Sequence, residues 1–231
     1  MFWTSGDVGL VVFVLPALVF SFWAQARVRA AFERYSRVGP SGGKTGAQVA
    51  AEVLRRAGLT EVGVLQVSGE LTDHYDPRQR VVCLSPAVYG SASLAALGVA
   101  AHEAGHAIQH AVGYRPLAVR NSLAPAVGFG SQAAVPLFFL GLIFGWGPLL
   151  DLGLFLMLGV VAFAVLTLPV EYDASRRALA ELQAGGYLRT DDEVRGAREV
   201  LNAAALTYVA ALAVALAQLL RMALLREGRR R

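Results

Sequence analysis

Two histidines and a glutamate lie close together in the segment HEAGH, at residues 102–106. In an α-helix, residues four apart lie on the same face, so His102 and His106 can bind one metal ion. Glu103 follows the first histidine directly, where its carboxylate can act on a water molecule at the same metal. Zinc lowers the pKa of such a water to about 7, and a neighbouring base can then take its proton. The spacing therefore predicts a zinc site for hydrolysis, with Glu103 as the general base.

A catalytic zinc site uses three protein ligands and leaves a fourth position for water. Two residues compete to be the third ligand. His110 lies four residues beyond His106, but three histidines at successive steps of four extend about 12 Å along a helix, too far for one ion. We therefore expect His110 to lie at the surface or to contact a metal ligand without binding the metal itself. Glu171 opens the segment EYDASRRALAEL directly after a long apolar stretch and is the preferred ligand, although an acid there is also favoured simply at the start of a helix.

Three further residues are candidates for supporting roles. Asp173 could orient a ligand histidine through its free ring nitrogen, as carboxylates behind metal ligands often do. His74 and Tyr75, in the segment TDHYDP, are candidate donors to the oxyanion of a tetrahedral intermediate; the alternative is an exposed polar turn. The predicted strand at residues 80–85 could be the edge to which an extended substrate pairs.

Four apolar stretches are close to the length of about 20 residues that a helix needs to cross a bilayer. They cover residues 8–24, 123–146, 149–169 and 203–220. The second and third form a predicted transmembrane hairpin, which returns the chain to the side it left. A site divided between residues 102 and 171 is then geometrically possible. The hydrophobic content of 55% also exceeds that of ordinary soluble proteins.

The basic residues predict an orientation in the membrane. Lysine and arginine number 11 in residues 25–122 and 5 in residues 170–202, against 5 in residues 203–231. Because cytoplasmic loops collect basic residues, the first two regions and the active site are expected on the cytoplasmic side of a bacterial plasma membrane. The arginines at the C-terminus oppose this arrangement if all four stretches span, so the fourth stretch could instead be re-entrant. The net charge of +4 is typical of such loops and does not predict nucleic-acid binding.

The residues between the first two apolar stretches are expected to form a small α+β unit. Residues 45–57 form a predicted amphipathic helix. Residues 62–68 and 80–85 are predicted strands, joined as a hairpin by a segment rich in turn-forming residues. A helix from about residue 94 to 112, capped by Ser93, carries HEAGH.

The predicted fold is therefore mainly α: an integral membrane helical bundle of about four spans, with a small zincin-like α+β unit that carries the HExxH helix. Five segments are expected along the chain. They are an N-terminal anchor (1–25), the catalytic unit (26–122), a transmembrane hairpin (123–170), a helical segment with the third zinc ligand (171–202), and a fourth transmembrane or re-entrant helix with a basic tail (203–231).

Three segments, in this order, resemble the YugP-like membrane-bound neutral zinc metallopeptidases of bacteria. They are LTDHYDP at 71–77, AAHEAGHAIQH at 100–110 and PVEYDASRRAL at 169–179. The resemblance covers nearly the whole chain. It implies a gluzincin-like peptidase, distantly similar to the HtpX and CAAX-prenyl-protease group.

The same resemblance implies zinc on His102, His106 and Glu171, with Glu103 as the catalytic base. In that family an acid follows the ligand glutamate by four residues, whereas this chain has Ser175 there. No role carries over to that position.

The expected partners are a protein or peptide substrate and the lipid bilayer. Two other functions are compatible with the sequence. One is an intramembrane metalloprotease of the site-2 type, whose HExxH lies inside a span and whose third ligand is an aspartate. The other is a membrane scaffold that binds zinc without catalysis. Structural zinc sites are usually closed by four protein ligands, often cysteines, whereas three candidates occur here, which favours catalysis.

Overall fold

The computed structural model describes residues 9–230, which are mainly helical and contain one small sheet. The helices in chain order are α1 (Leu15–Ser36), α2 (Gly46–Arg56), α3 (Pro86–Tyr89), α4 (Leu94–Ala111), α5 (Arg115–Phe144), α6 (Gly147–Ala184) and α7 (Asp191–Arg230). A π-helical segment, Leu10–Val14, precedes α1. The strands are β1 (Gly63–Gln66), β2 (His74–Asp76) and β3 (Val81–Leu84). The predicted fold class, mainly α with a small α+β part, is confirmed.

The chain divides into two compact units. One contains the described residues up to Gln25, the segment Val119–Pro169 and the described residues from Leu206 onward. The other contains Ala26–Ala118 and Val170–Ala205. Every candidate site residue named above lies in this second unit.

Four helices of the described chain are long and apolar enough to cross a membrane. They are Leu10–Ser36, Arg115–Phe144, Gly147–Ala184 and Asp191–Arg229. Large apolar side chains such as Phe22, Phe129 and Phe155 are exposed on them, as contact with lipid requires. The first predicted stretch begins at Val8, which lies outside the described residues. The fourth stretch lies within one continuous helix, α7, without a re-entrant break.

Helix α6 is longer than the sequence predicts. We expected a span ending at Pro169 and a new helix beginning at Glu171, but α6 runs without interruption through both residues. A proline inside a helix removes one backbone hydrogen bond, and apolar membrane helices tolerate this because their surroundings satisfy the freed group. Glu171 therefore lies inside a continuous helix, just beyond its apolar part, and is not a first-turn acid.

The sheet has the strand order β1-β3-β2, with β1 parallel and β2 antiparallel to β3. The predicted hairpin between residues 62–68 and 80–85 is therefore wrong. The turn signals belong to the β2–β3 connection, where Asp76 Oδ1 accepts the backbone N–H groups of Arg78 at 2.7 Å and Gln79 at 3.2 Å. Because β3 has a partner on each side, it is not the edge strand predicted to receive a substrate; the edges are β1 and β2.

Helices α2 and α4 begin and end close to the predicted residues. Thr45 and Gln48 form a capping box at the start of α2. Ser93 Oγ accepts the backbone N–H of Ala96 at 3.2 Å and so caps α4. Both helices share a buried cluster with Val82 and Leu84 of β3. The sheet and α2 therefore support the helix that carries HEAGH.

A polar cluster of Lys44, Glu52 and Tyr187 links α2 to the loop before α7. Lys44 Nζ lies 2.7 and 2.6 Å from the Glu52 carboxylate oxygens, and the Tyr187 hydroxyl donates to Glu52 at 2.8 Å. Lys44 and Tyr187 hold the pKa of Glu52 below its usual range. Burial, and to a smaller extent the hydrogen bond to Glu52, raise the pKa of Tyr187 to about 12.

We expect Glu52→Gln to destabilise the protein at pH 7 by about 1 kcal/mol, or about 2–4 °C in Tm, since the cluster is partly exposed. The pKa of Glu52 is depressed in the folded state, so its stabilisation is present above the unfolded value and disappears as the pH falls through the folded value. Thermal unfolding in detergent should therefore show a Tm difference that shrinks as the pH falls below 4.5, the ordinary pKa of a glutamate. Glu61→Gln, which changes an exposed acid 3.7 Å from Arg80, is the control.

Candidate metal centre

Helices α4 and α6 make a close contact at Gly105. A Cβ atom at this position would lie 2.8 Å from the backbone oxygen of Ala174, which is closer than a side chain can pack. Only glycine therefore permits this approach of the two helices. Ala104 and Ala107 on either side are also buried, so the small residues around HEAGH allow the two helices to pack closely.

The close packing brings the three predicted ligands together. His102 Nε2 lies 3.2 Å and His106 Nε2 3.7 Å from Glu171 Oε2. One donor atom from each residue lies within 4.8 Å of the others. Glu171 is only 2% exposed, so its carboxylate is enclosed by the protein.

This group fits the geometry of a zinc ion. Ligand atoms arranged tetrahedrally at about 2.0–2.2 Å from zinc are about 3.3–3.6 Å apart, close to the separations from Glu171 Oε2. Two imidazole nitrogens and one carboxylate oxygen are also a donor set of catalytic zinc sites. His102, His106 and Glu171 would therefore hold the metal.

Each histidine also has a partner at its other ring nitrogen. His102 Nδ1 lies 3.1 Å from Ser175 Oγ, so Ser175 contacts a predicted ligand histidine. His106 Nδ1 lies 3.0 Å from Gln109 Oε1. Such partners fix the ring orientation and would leave Nε2 to bind a metal.

Gln109 is a site residue that sequence reasoning missed. It is completely buried, and its side-chain nitrogen donates to the backbone oxygen of Val170 and to Asp173 Oδ2, both at 2.9 Å. Asp173 was predicted to bond a ligand histidine, but it contacts Gln109 instead, and Gln109 contacts His106. The available signal was a long amide side chain three residues after a predicted ligand histidine, on the same helix.

Two carboxylates act on His106. Burial alone lowers the pKa of this imidazole, but the carboxylates of Glu171 and Glu103, together with Gln109, more than offset the burial and raise it. Glu103 is itself only 8% exposed, so its charge acts in an enclosed space. The two carboxylates therefore favour a positive charge at this position.

Tyr75 and His110 contact each other. The Tyr75 hydroxyl lies 2.9 Å from His110 Nδ1, one helical turn beyond His106 on α4. His110 is exposed and does not join the three predicted ligands, as expected. His74 is also exposed, and its Nδ1 donates to the backbone oxygen of Thr72 at 2.7 Å. The Tyr75 hydroxyl thus contacts the helix that carries HEAGH, whereas the described hydrogen bond of the His74 ring stays within its own segment.

The chain belongs to the family described as "Putative neutral zinc metallopeptidase", whose model matches residues 10–227. Four helices that could cross a membrane, together with a group of two histidines and a glutamate, are consistent with that class. The chain is also 46% identical over 215 residues to the "Putative membrane protease YugP" of Bacillus subtilis (strain 168), over 93% of this chain and 95% of that protein. No solved structure matches this chain. The family predicted from the three sequence segments is confirmed.

Proposed function

We propose that this protein is a zinc-dependent endopeptidase that cleaves protein or peptide substrates at a membrane. The observation that carries the proposal is the convergence of His102, His106 and Glu171 from two helices, with the buried acid Glu103 next to the first histidine. Membership of a zinc metallopeptidase family and similarity to a protein named as a membrane protease support the same class.

Each residue of the candidate site has a separate role in the proposed reaction. Zinc held by His102, His106 and Glu171 would act as a Lewis acid, which would polarise the scissile carbonyl and make water more acidic. Glu103 takes a proton from the attacking water and returns it to the leaving amine. The Tyr75 hydroxyl donates to the oxyanion; burial raises the pKa of this hydroxyl, so it stays protonated at neutral pH. His110 can hold this hydroxyl in place by donating from Nδ1 to its oxygen, which leaves the tyrosine hydrogen for the oxyanion.

The described residues favour this proposal over its two alternatives. A site-2-type protease carries HExxH inside a span, whereas α4 is not one of the four helices long and apolar enough to cross a membrane. A structural zinc scaffold usually closes the site with four ligands, whereas the group in the described chain has three, which leaves a position for water.

We further propose that the site faces the cytoplasm from a bacterial plasma membrane. The 16 basic residues of segments 25–122 and 170–202 exceed the 5 beyond residue 202, in the direction of the positive-inside rule. Cysteine-accessibility labelling in whole cells, with single cysteines introduced in the loops, tests this orientation.

Metal removal tests the proposed activity. We expect a chelator to abolish cleavage of a fluorescently labelled unfolded protein by the purified enzyme in detergent, because the residues that remain supply a base but no Lewis acid. Stoichiometric zinc should restore the cleavage, and magnesium should not, because Mg²⁺ prefers oxygen ligands. Cleavage that persists after metal analysis finds no zinc would contradict the proposal.

A further inference from the structure

We infer that Asp173 fixes the amide orientation of Gln109, and that this orientation makes His106 a metal ligand through Nε2. The inference rests on the zinc site of the proposed function. Gln109 and Asp173 act through His106 and are positioning residues.

The amide orientation of Gln109 follows from its partners. One end of the amide faces the backbone oxygen of Val170 and the carboxylate of Asp173, each at 2.9 Å. Both are acceptors only, so this end must be the NH2 group. The other end, which faces His106 Nδ1 at 3.0 Å, must then be the carbonyl oxygen.

The orientation of the amide determines the tautomer of His106. A carbonyl oxygen only accepts, so Nδ1 must carry a hydrogen and donate it. In the neutral ring, Nε2 is then the nitrogen with the lone pair, and it is this atom that lies 3.7 Å from Glu171 Oε2. A reversed amide would place two donors against each other at Nδ1 and an oxygen against the Asp173 carboxylate. Both contacts are unfavourable in a fully buried site.

Asp173 is itself held firmly. Arg177 Nε donates to its Oδ2 at 2.6 Å, and Arg176 donates to its Oδ1. Asp173 is 8% exposed, so these two guanidinium groups compensate a nearly buried charge. The chain of contacts therefore runs from the arginines of α6 through Asp173 and Gln109 to a ligand on α4. It links the two helices that supply the metal ligands.

The test compares metal affinity across a double-mutant cycle. Gln109→Met keeps the length of the side chain but removes both hydrogen-bonding ends, and we expect it to weaken Co²⁺ and Zn²⁺ binding by about 10–100-fold. Asp173→Asn permits the amide to reverse and should weaken binding in the same range. In the Gln109→Met background, Asp173→Asn should have little further effect, because Asp173 acts through Gln109. Asp192→Asn, which also changes an acid paired with an arginine three residues on, is the matched control.

Two readouts distinguish positioning from general damage. Affinity is measured by the visible spectrum of Co²⁺, beside the thermal stability of the metal-free protein. The ring nitrogen that binds zinc is identified from ¹⁵N shifts, which is practical with four histidines in the chain. We expect Asp173→Asn to give a mixture of ring states at His106. Affinity of Gln109→Met within twofold of wild type, or an equal effect of Asp173→Asn in both backgrounds, would overturn the inference.

The outcome is separate from that of the proposed function. A wild-type protein that binds zinc with this coupling, yet cleaves no substrate, would refute the peptidase and leave the inference standing. If cleavage were normal and neither substitution changed the zinc affinity, the inference would be refuted and the peptidase would stand.

Discussion

Replacing Glu103 by glutamine is expected to lower the rate of peptide hydrolysis by about 10²–10⁴-fold, the usual contribution of a general base. Glutamine has almost the same shape as glutamate, so the buried position on α4 should still pack. It cannot take a proton from water. Because Glu103 is not a predicted ligand, the purified variant should contain as much zinc as the wild type. The measurement is single-turnover cleavage beside metal analysis of the same preparation.

The combination of lost activity and retained zinc is the informative result. Loss of both would make Glu103 part of the metal site instead of the base. Retained activity would assign the base to another residue. Glu181→Gln, on α6 and paired with Arg56 at 3.5 Å, provides the same chemical change away from the three ligands and should leave activity within about twofold.

Replacing Glu171 by glutamine should weaken zinc binding by more than about 100-fold. Mutation of a residue that only supports a metal ligand already lowers metal affinity by about 10–100-fold. Removal of the charge of a ligand itself should lower it further. Glu171 is nearly completely buried against both histidines, so no exposed acid can take its place. Competition with a chelator of known affinity measures the effect.

The Glu171 variant also tests the division of the site between α4 and α6. His102→Gln should reduce zinc affinity to a similar extent, because both residues are expected to bind the same ion. Equal zinc affinity of wild type and Glu171→Gln would show that the carboxylate is not a ligand. His74→Gln is the matched control, since the described hydrogen bond of the His74 ring goes to the backbone oxygen of Thr72, two residues earlier.

The grouping of His102 and His106 with Glu171 could be predicted from the sequence. Helical geometry alone places His102 and His106 on one face, and two apolar stretches before Glu171 allow the chain to return. Small residues tend to allow close helix packing, but the particular contact at Gly105 could not be predicted. The atom it approaches belongs to Ala174, 69 positions further along. The separation of 3.2 Å between His102 and Glu171 is a property of tertiary packing.

Other structural features could not be predicted from the sequence, because the local sequence pattern differs from what tertiary packing imposes. Pro169 marks a helix end by local rules, yet α6 passes through it. The three residues of β2 lie among turn-forming residues and have no strand pattern of their own; pairing with β3 creates the strand. Gln109 reads as one polar residue on a helix, and its role depends on Val170 and Asp173 from α6. Each of these depends on a partner distant in sequence.

The position of zinc in the purified protein tests the central claim most directly. An anomalous difference map at the zinc edge, from crystals of the wild-type protein, should show one peak within about 2.0–2.2 Å of His102 Nε2, His106 Nε2 and a Glu171 carboxylate oxygen. A zinc ion bound elsewhere, or bound to the two histidines with Glu171 turned away, would contradict the account.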